Sequence, residues 1–300
     1  VTILDARALP SIERNAPLGP QTWFGVGGAA EILARPRSPE ELAALVERSH
    51  GEGKRLRVLG AGSNVLVADS GVKGVVVLLS APPFKSLVRK DETTVQVGAG
   101  SRLSRLVSAA EDWALSGAEG LAGIPGTVGG ALRMNSGTPV GEIGPLVRRV
   151  WALSAEGRAL TLSGPDCSFS YRSSSLGDKV ILGAELSFVR GDPAEIRRRT
   201  ESLFSHRAET QPPAASRHAG CVFKNPPGIA AGRLLDELGL KGRSVGGARV
   251  SEVHANFIEV REGAKAADVK ALIDEMRRAA REEKGVELEL QLDLWGFDED

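Results

Sequence analysis

The chain has 300 residues, 42% of them hydrophobic and 25% charged, with 38 basic and 38 acidic side chains balancing to a net charge of zero. That length calls for two or three domains, and the composition is that of a soluble globular protein. The even charge argues against nucleic acid or an anionic membrane as the main partner.

Residues 1–19 lack the basic segment and apolar run of a secretory leader. Nowhere does the chain reach the roughly 18 apolar residues a spanning helix needs. Both absences lead to the expectation of a cytoplasmic protein. Cys167 and Cys221 fit no metal-ligand spacing, so free thiols in a reducing setting are expected. His50, His206 and His218 form no metal constellation in the sequence.

In chain order, Ser38, Pro39 and Glu41 give the signature of a helix start with a capping box, and Leu42, Leu45 and Val46 its buried face. Residues 55–59 alternate like a strand and run into the glycine loop Gly60, Ala61, Gly62, Ser63, Asn64. Residues 65–67, 75–79 and 95–97 read as short strands. A helix follows over 101–113 with Leu103, Leu106, Val107 and Ala110 on one face. Residues 120–137 carry glycine at 120, 123, 126, 129, 130 and 137, a density that disfavours helix or strand interiors. Yet Leu121, Ile124, Val128, Leu132 and Met134 are too apolar for a linker. A buried loop that brings backbone N–H groups up to a ligand is favoured over a structural turn.

Residues 147–153 and 180–186 read as strands bracketing a polar segment, residues 167–175. A helix opens at Asp192-Pro193 and stops at residues 211–216, the best domain junction. Beyond it lie helices near 231–238 and 268–283. The segment 287–294 alternates strictly, with its leucines on one face and Glu287, Glu289, Gln291 and Asp293 on the other. This mixed order favours an α+β fold over one doubly wound sheet.

GAGSN at 60–64 is neither a dinucleotide fingerprint nor a Walker loop. On its own it reads equally as a strand-to-turn glycine pair or as half of a pyrophosphate grip shared with residues 120–137, with Ser63 and Asn64 as added donors.

Several blocks together are more specific. They are Asn15 to Leu18 with Thr22-Trp23-Phe24, Leu59 to Leu66, Gly123 to Ala131 with Met134-Asn135, Phe169 to Ser174, Val222 to Pro226, and Gly246 to Ile258. In this order, and over nearly the whole chain, they resemble the UDP-N-acetylenolpyruvoylglucosamine reductase family, in the shorter form without an insertion after Tyr171-Arg172. The resemblance implies an FAD-binding fold of the vanillyl-alcohol oxidase type. It divides the chain into two FAD-binding subdomains, residues 1–74 and 75–191, and a substrate domain, residues 192–300. It implies FAD as cofactor, NADPH as hydride donor, and a UDP-sugar substrate reduced by ping-pong kinetics. Oligomeric state is left open.

The same resemblance implies site residues. Gly60, Ala61, Gly62, Ser63, Asn64 and Val65 would bind the cofactor, together with Gly123, Ile124, Pro125, Gly126, Thr127, Gly129, Gly130 and Asn135. Arg172 would meet the substrate carboxylate, a task suited to a guanidinium that stays charged and forks onto two oxygens. Lys224 and Asn225 would contact substrate.

Cys221 stands where the family usually has a serine proton donor. A thiol with a pKa of about 8.5 is mostly protonated at neutral pH and can serve, although a buried small-hydrophobe cysteine is the commonest role of the residue type. The acid–base glutamate of the family's Leu-Glu-Xaa-Glu-Val pattern is replaced by Gln291, with Glu289 the first Glu of the pattern. The two are about 6.6 to 6.8 Å apart at strand rise. Either a two-residue shift brings Glu289 to the site, or Gln291 acts as a hydrogen-bond donor alone; a solvated Glu289 is the plain alternative. Glu289 is slightly favoured. His254, in an apolar run, is expected to be structural rather than a proton shuttle. Arg207 and Gln211 match a family pattern near the junction. An FAD oxidase of the same fold, or a flavin-binding protein without this catalysis, are the competing readings.

Overall fold

The computed structural model describes residues 11–213 and 215–297. The reading of residues 1–10 as free of a leader, and Ala214 within the 211–216 junction, lie outside the described residues. The described residues form two compact units, residues 11–14, 32–61 and 74–206 in the first and residues 15–31, 62–73, 207–213 and 215–297 in the second. The architecture is α+β, as the element order implies.

The first unit is built on a five-stranded antiparallel sheet of order Ala159–Ser163, Val147–Leu153, Val180–Ser187, Thr94–Gly98, Leu87–Arg89. Leu56–Val58 runs parallel to Val72–Val77 through the pairs Leu56 with Val75 and Val58 with Val77. Helix α1, Pro39–Gly51, starts where the sequence places it, with Ser38 Oγ accepting from Glu41 N. The capping box is not completed, because the Glu41 carboxylate takes Arg37 N at 2.8 Å and the Arg37 guanidinium instead. Helix α2, Leu103–Asp112, buries Leu103, Leu106, Val107 and Ala110 as its periodicity implies.

Helix α3, Val128–Arg133, corrects the expectation that residues 120–137 are loop throughout. Thr127 Oγ1 accepts from Gly130 N, and Val128, Ala131 and Leu132 sink into the core of the unit. Tertiary burial of that apolar face overrides the poor propensity of Gly129 and Gly130. The edge strand Ala159–Ser163 is also missing from the sequence reading. Helix α4, Pro193–Thr210, stops at the expected residues.

The second unit has its own core, centred on Phe223, Leu235, Ile258, Leu272 and Met276. Helix α5, Ala231–Glu237, and helix α6, Ala266–Lys284, pack with the antiparallel strands Ser244–Val245, Ala248–Val250 and Ile258–Val260. α6 begins two residues before Asp268, because the Asp69 carboxylate accepts from Ala266 N and Ala267 N at 2.9 Å and caps it. The expected terminal strand is shorter than its alternation suggests. Only Asp293–Trp295 forms a ladder, parallel to Val65–Val67, while Phe223 and Leu290 make an isolated bridge. Among the described residues, no helix is long and apolar enough to cross a membrane, and no cluster of His, Cys, Asp or Glu could hold a metal ion.

Candidate active site

In the first unit the two glycine segments meet. A Cβ built on Gly60 would stand 2.7 Å from Thr127 Oγ1, so the absence of a side chain at 60 lets the turn before α3 come close. A close approach of this kind leaves backbone open to a cofactor pyrophosphate, so the residues fit the group. The N–H groups at the start of α3 are not what would hold it. Val128 N bonds Ser101 O, Gly129 N bonds Ala99 O at 2.8 Å, and Gly130 N points at Thr127 Oγ1. Of the turn before α3, Ile124 N bonds Leu121 O and Pro125 has no N–H to give.

Arg172 lies in the same unit, held by contacts of its own. It follows the exposed Tyr171, whose ring lies 5.2 Å from the guanidinium carbon. Its Nη2 donates to Gly137 O at 2.7 Å, and Nη1 lies 3.5 Å from Asn135 O and 3.6 Å from Glu142 Oε1. The Asn135 amide, expected on the cofactor, is engaged on protein. Nδ2 donates to Glu142 Oε2 at 2.7 Å and to Ser170 O at 2.9 Å, and Oδ1 accepts from Gly144 N. Glu142 escaped the sequence reading; its only signal was to be the lone charge among residues 136–147, in a segment of glycine, proline and apolar residues.

Cys221, Lys224, Glu289 and Gln291 come together in the second unit. Lys224 N donates to Glu289 O, and both Gln291 N and Leu292 N donate to Val222 O, a two-against-one bulge. The register therefore sets Gln291 beside Val222, next to Cys221, and Glu289 one step further along beside Lys224. The Glu289 carboxylate accepts from Lys224 Nζ at 2.5 Å, with 72% of its side chain exposed and 21% of the lysine's. Asn64 Nδ2 donates to Gln291 O at 2.8 Å, tying the second unit's part of the 60–65 loop to this segment, a link not legible in sequence.

Asn225, expected on substrate, lends Oδ1 to Ala231 N at the start of α5. His254 Nδ1 accepts from Asn256 N at 3.1 Å and its ring packs 4.9 Å from that of Phe257, which is the structural role expected. Burial holds it below the usual imidazole range. His218, also buried and also lowered by desolvation, stacks edge-on between Trp23 and Phe257. Burial likewise lowers Arg207, with the Cys221 sulfur opposing the shift. Neither cysteine is in a disulfide, and Cys167 is fully buried with its thiol raised by desolvation.

The first unit thus combines a sheet-based α+β core with a glycine cradle and an arginine held by carbonyl groups, and its class follows from what it matches. Residues 30–163 match the FAD binding domain family, and residues 211–295 match the C-terminal domain family of UDP-N-acetylenolpyruvoylglucosamine reductase. The enzyme of that name from Moorella thermoacetica is 43% identical over 94% of this chain and 92% of its own length. The crystal structure of the one from Thermus caldophilus superposes with a TM-score of 0.83 at 39% identity, over 95% of this chain and 99% of that one. The glucose dehydrogenase Phl p 4.0202, at 16% identity and a TM-score of 0.50 over 63% of this chain and 43% of its own, shares the fold alone. The chain belongs to the UDP-N-acetylenolpyruvoylglucosamine reductase family.

Proposed function

We propose that the protein reduces UDP-N-acetylglucosamine enolpyruvate to UDP-N-acetylmuramate with electrons from NADPH, in the cytoplasm. The observation that carries this reading is the match to a reductase of that name along 94% of the chain. Bound FAD would supply the hydride-transfer chemistry that links NADPH to the enolpyruvyl group. Residues Gly60 to Val65 and Gly123 to Thr127 would hold the cofactor, and residues 1–74, 75–191 and 192–300 are read as its two subdomains and the substrate domain.

The remaining steps fall to side chains. Arg172 binds the substrate carboxylate and stabilises the charge that develops on it as hydride arrives. The Cys221 thiol gives its proton to the adjacent carbon, which completes addition of hydride and proton across the double bond. Glu289 serves through Lys224, holding the ammonium where the sugar diphosphate can meet it. Gln291 can donate a hydrogen bond but no proton, so in this chain protonation rests on the thiol. Asn225, at the entry to α5, contacts substrate.

The test is anaerobic. Holoenzyme reduced with NADPH is mixed with UDP-N-acetylglucosamine enolpyruvate while flavin absorbance is followed. Rapid reoxidation with formation of UDP-N-acetylmuramate is expected. Cys221→Ala should abolish reoxidation and leave reduction by NADPH intact; reoxidation at the unaltered rate would remove Cys221 from the mechanism. Bleaching by NADPH with no reoxidation in the unaltered protein would favour a flavoprotein acting on something else.

A further inference from the structure

The surroundings of Arg172 contain more than its proposed role requires. Arg172 has a φ of 51° and Asn135 one of 46°, a left-handed backbone region that strains a residue with a side chain. The same two residues touch each other, Arg172 Nη1 lying 3.5 Å from Asn135 O. Glu142 joins them from the side. Its Oε2 accepts from Asn135 Nδ2 at 2.7 Å and its Oε1 lies 3.6 Å from Arg172 Nη1, one carboxylate oxygen for each partner. The other Asn135 N–H grips Ser170 O, two residues before Arg172, so the amide ties the arginine's own chain segment to the carboxylate.

We propose that Glu142, acting with Asn135, is a positioning residue that sets the direction of the Arg172 guanidinium for the second half-reaction. The inference rests on the reading of Arg172 given above. Only 18% of the Arg172 side chain and 31% of that of Glu142 are exposed, so the charge pair is shielded enough to fix an orientation rather than merely decorate a surface. Gly137 O and Asn135 O are neutral acceptors and hold the guanidinium by hydrogen bonds alone; Glu142 is the one anion the structure places within 4 Å of it among the described residues. A carboxylate on one flank leaves the opposite edge of the planar fork to a second carboxylate, that of the substrate. Removing the flank would let the fork swing, and displacements of about 1 Å at such groups cost on the order of 10² in rate.

Glu142→Gln separates charge from scaffolding, because the amide oxygen can still accept from Asn135 while the charge is gone. In holoenzyme studied by stopped flow, reoxidation by the enolpyruvyl sugar is expected to slow about 10-fold or more. Reduction by NADPH should stay within about twofold. Glu142→Asp, which retains the charge, should recover part of the loss and also serves if the Gln variant does not hold flavin. Arg172→Lys run alongside separates the two ideas. If the lysine variant is slow in reoxidation while Glu142→Gln is not, the positioning role is overturned and the reading of Arg172 stands. Equal slowing of both half-reactions by Glu142→Gln, or a Glu142→Asp variant slower than the Gln one, overturns it as well. If Arg172→Lys leaves reoxidation unchanged, the reading beneath the inference fails and the inference falls with it.

Discussion

Arg172 and Cys221 occupy regions built on opposite plans. The loop around Arg172 is shaped by backbone, with left-handed residues, glycines in close contact and an amide bonded on three sides. The segment around Cys221 is extended chain paired to residues 289–292, joined across its rim by an ion pair that is largely solvated on one side. The difference implies that the first region fails when backbone geometry is disturbed, whereas the second absorbs side-chain changes and loses chemistry before it loses structure.

The largest effect should come from Gly137→Ala. A Cβ there would lie 2.4 Å from Gly141 O and 2.5 Å from the Glu142 Cα, both backbone, so the short hairpin of Gly137–Thr138 with Gly141–Glu142 must open. A cost of about 3 kcal/mol or more in urea unfolding is expected, together with loss of the Gly137 O contact to Arg172. Unfolding free energy within about 0.5 kcal/mol of the unaltered protein would show the loop to be more pliant than its contacts imply.

That dependence on backbone also explains what could be read in advance. Helices α1, α2 and α6 were legible because caps and apolar spacing are local. α3 was not, because Thr127 and the burial of Val128, Ala131 and Leu132 decide it, and those depend on the rest of the unit. The terminal segment shows the complementary limit. Alternation correctly put Leu288 and Leu292 inside and Glu289 outside, but alternation reports faces and not pairing, so the length of the strand and the bulge at Gln291 were invisible. Of the site, the glycine cradle, Arg172, and the neighbourhood of Cys221 with Lys224 were legible through their blocks. Glu142 was not, since its partners Asn135 and Arg172 lie 7 and 30 residues away and only the fold joins them.

The second region should respond next, to pH. His254 and His218 are both held below the usual imidazole range by burial. The unfolded chain, with histidines near their ordinary pKa of about 6.5, binds more protons than the folded one below that value. Stability is therefore full above pH about 6.5 and falls as pH drops through the window beneath it. His254→Gln should flatten that slope in denaturation measured between pH 7 and 5; an unchanged slope would assign the pH dependence elsewhere.

Gly220→Ala is the counterpart of Gly137→Ala beside the thiol. Its φ is +72° but no atom lies within 4 Å of the added Cβ, so backbone strain of about 1 kcal/mol is the whole cost. A loss comparable to that of Gly137→Ala would erase the contrast between the two regions.

The smallest effect belongs to the Lys224–Glu289 pair. With 72% of the glutamate side chain in solvent, most of its attraction for the ammonium is screened, and Glu289→Gln should change unfolding free energy by less than about 0.5 kcal/mol. Its activity is the sharper measure. Acting through Lys224, Glu289 should alter the apparent KM for the UDP-sugar by a few fold and leave the reoxidation rate at saturation nearly unchanged. A direct proton-transfer role would instead lower that saturated rate by about 10²-fold or more. Because Gln291 and not Glu289 lies beside Val222, the KM effect is the expected result.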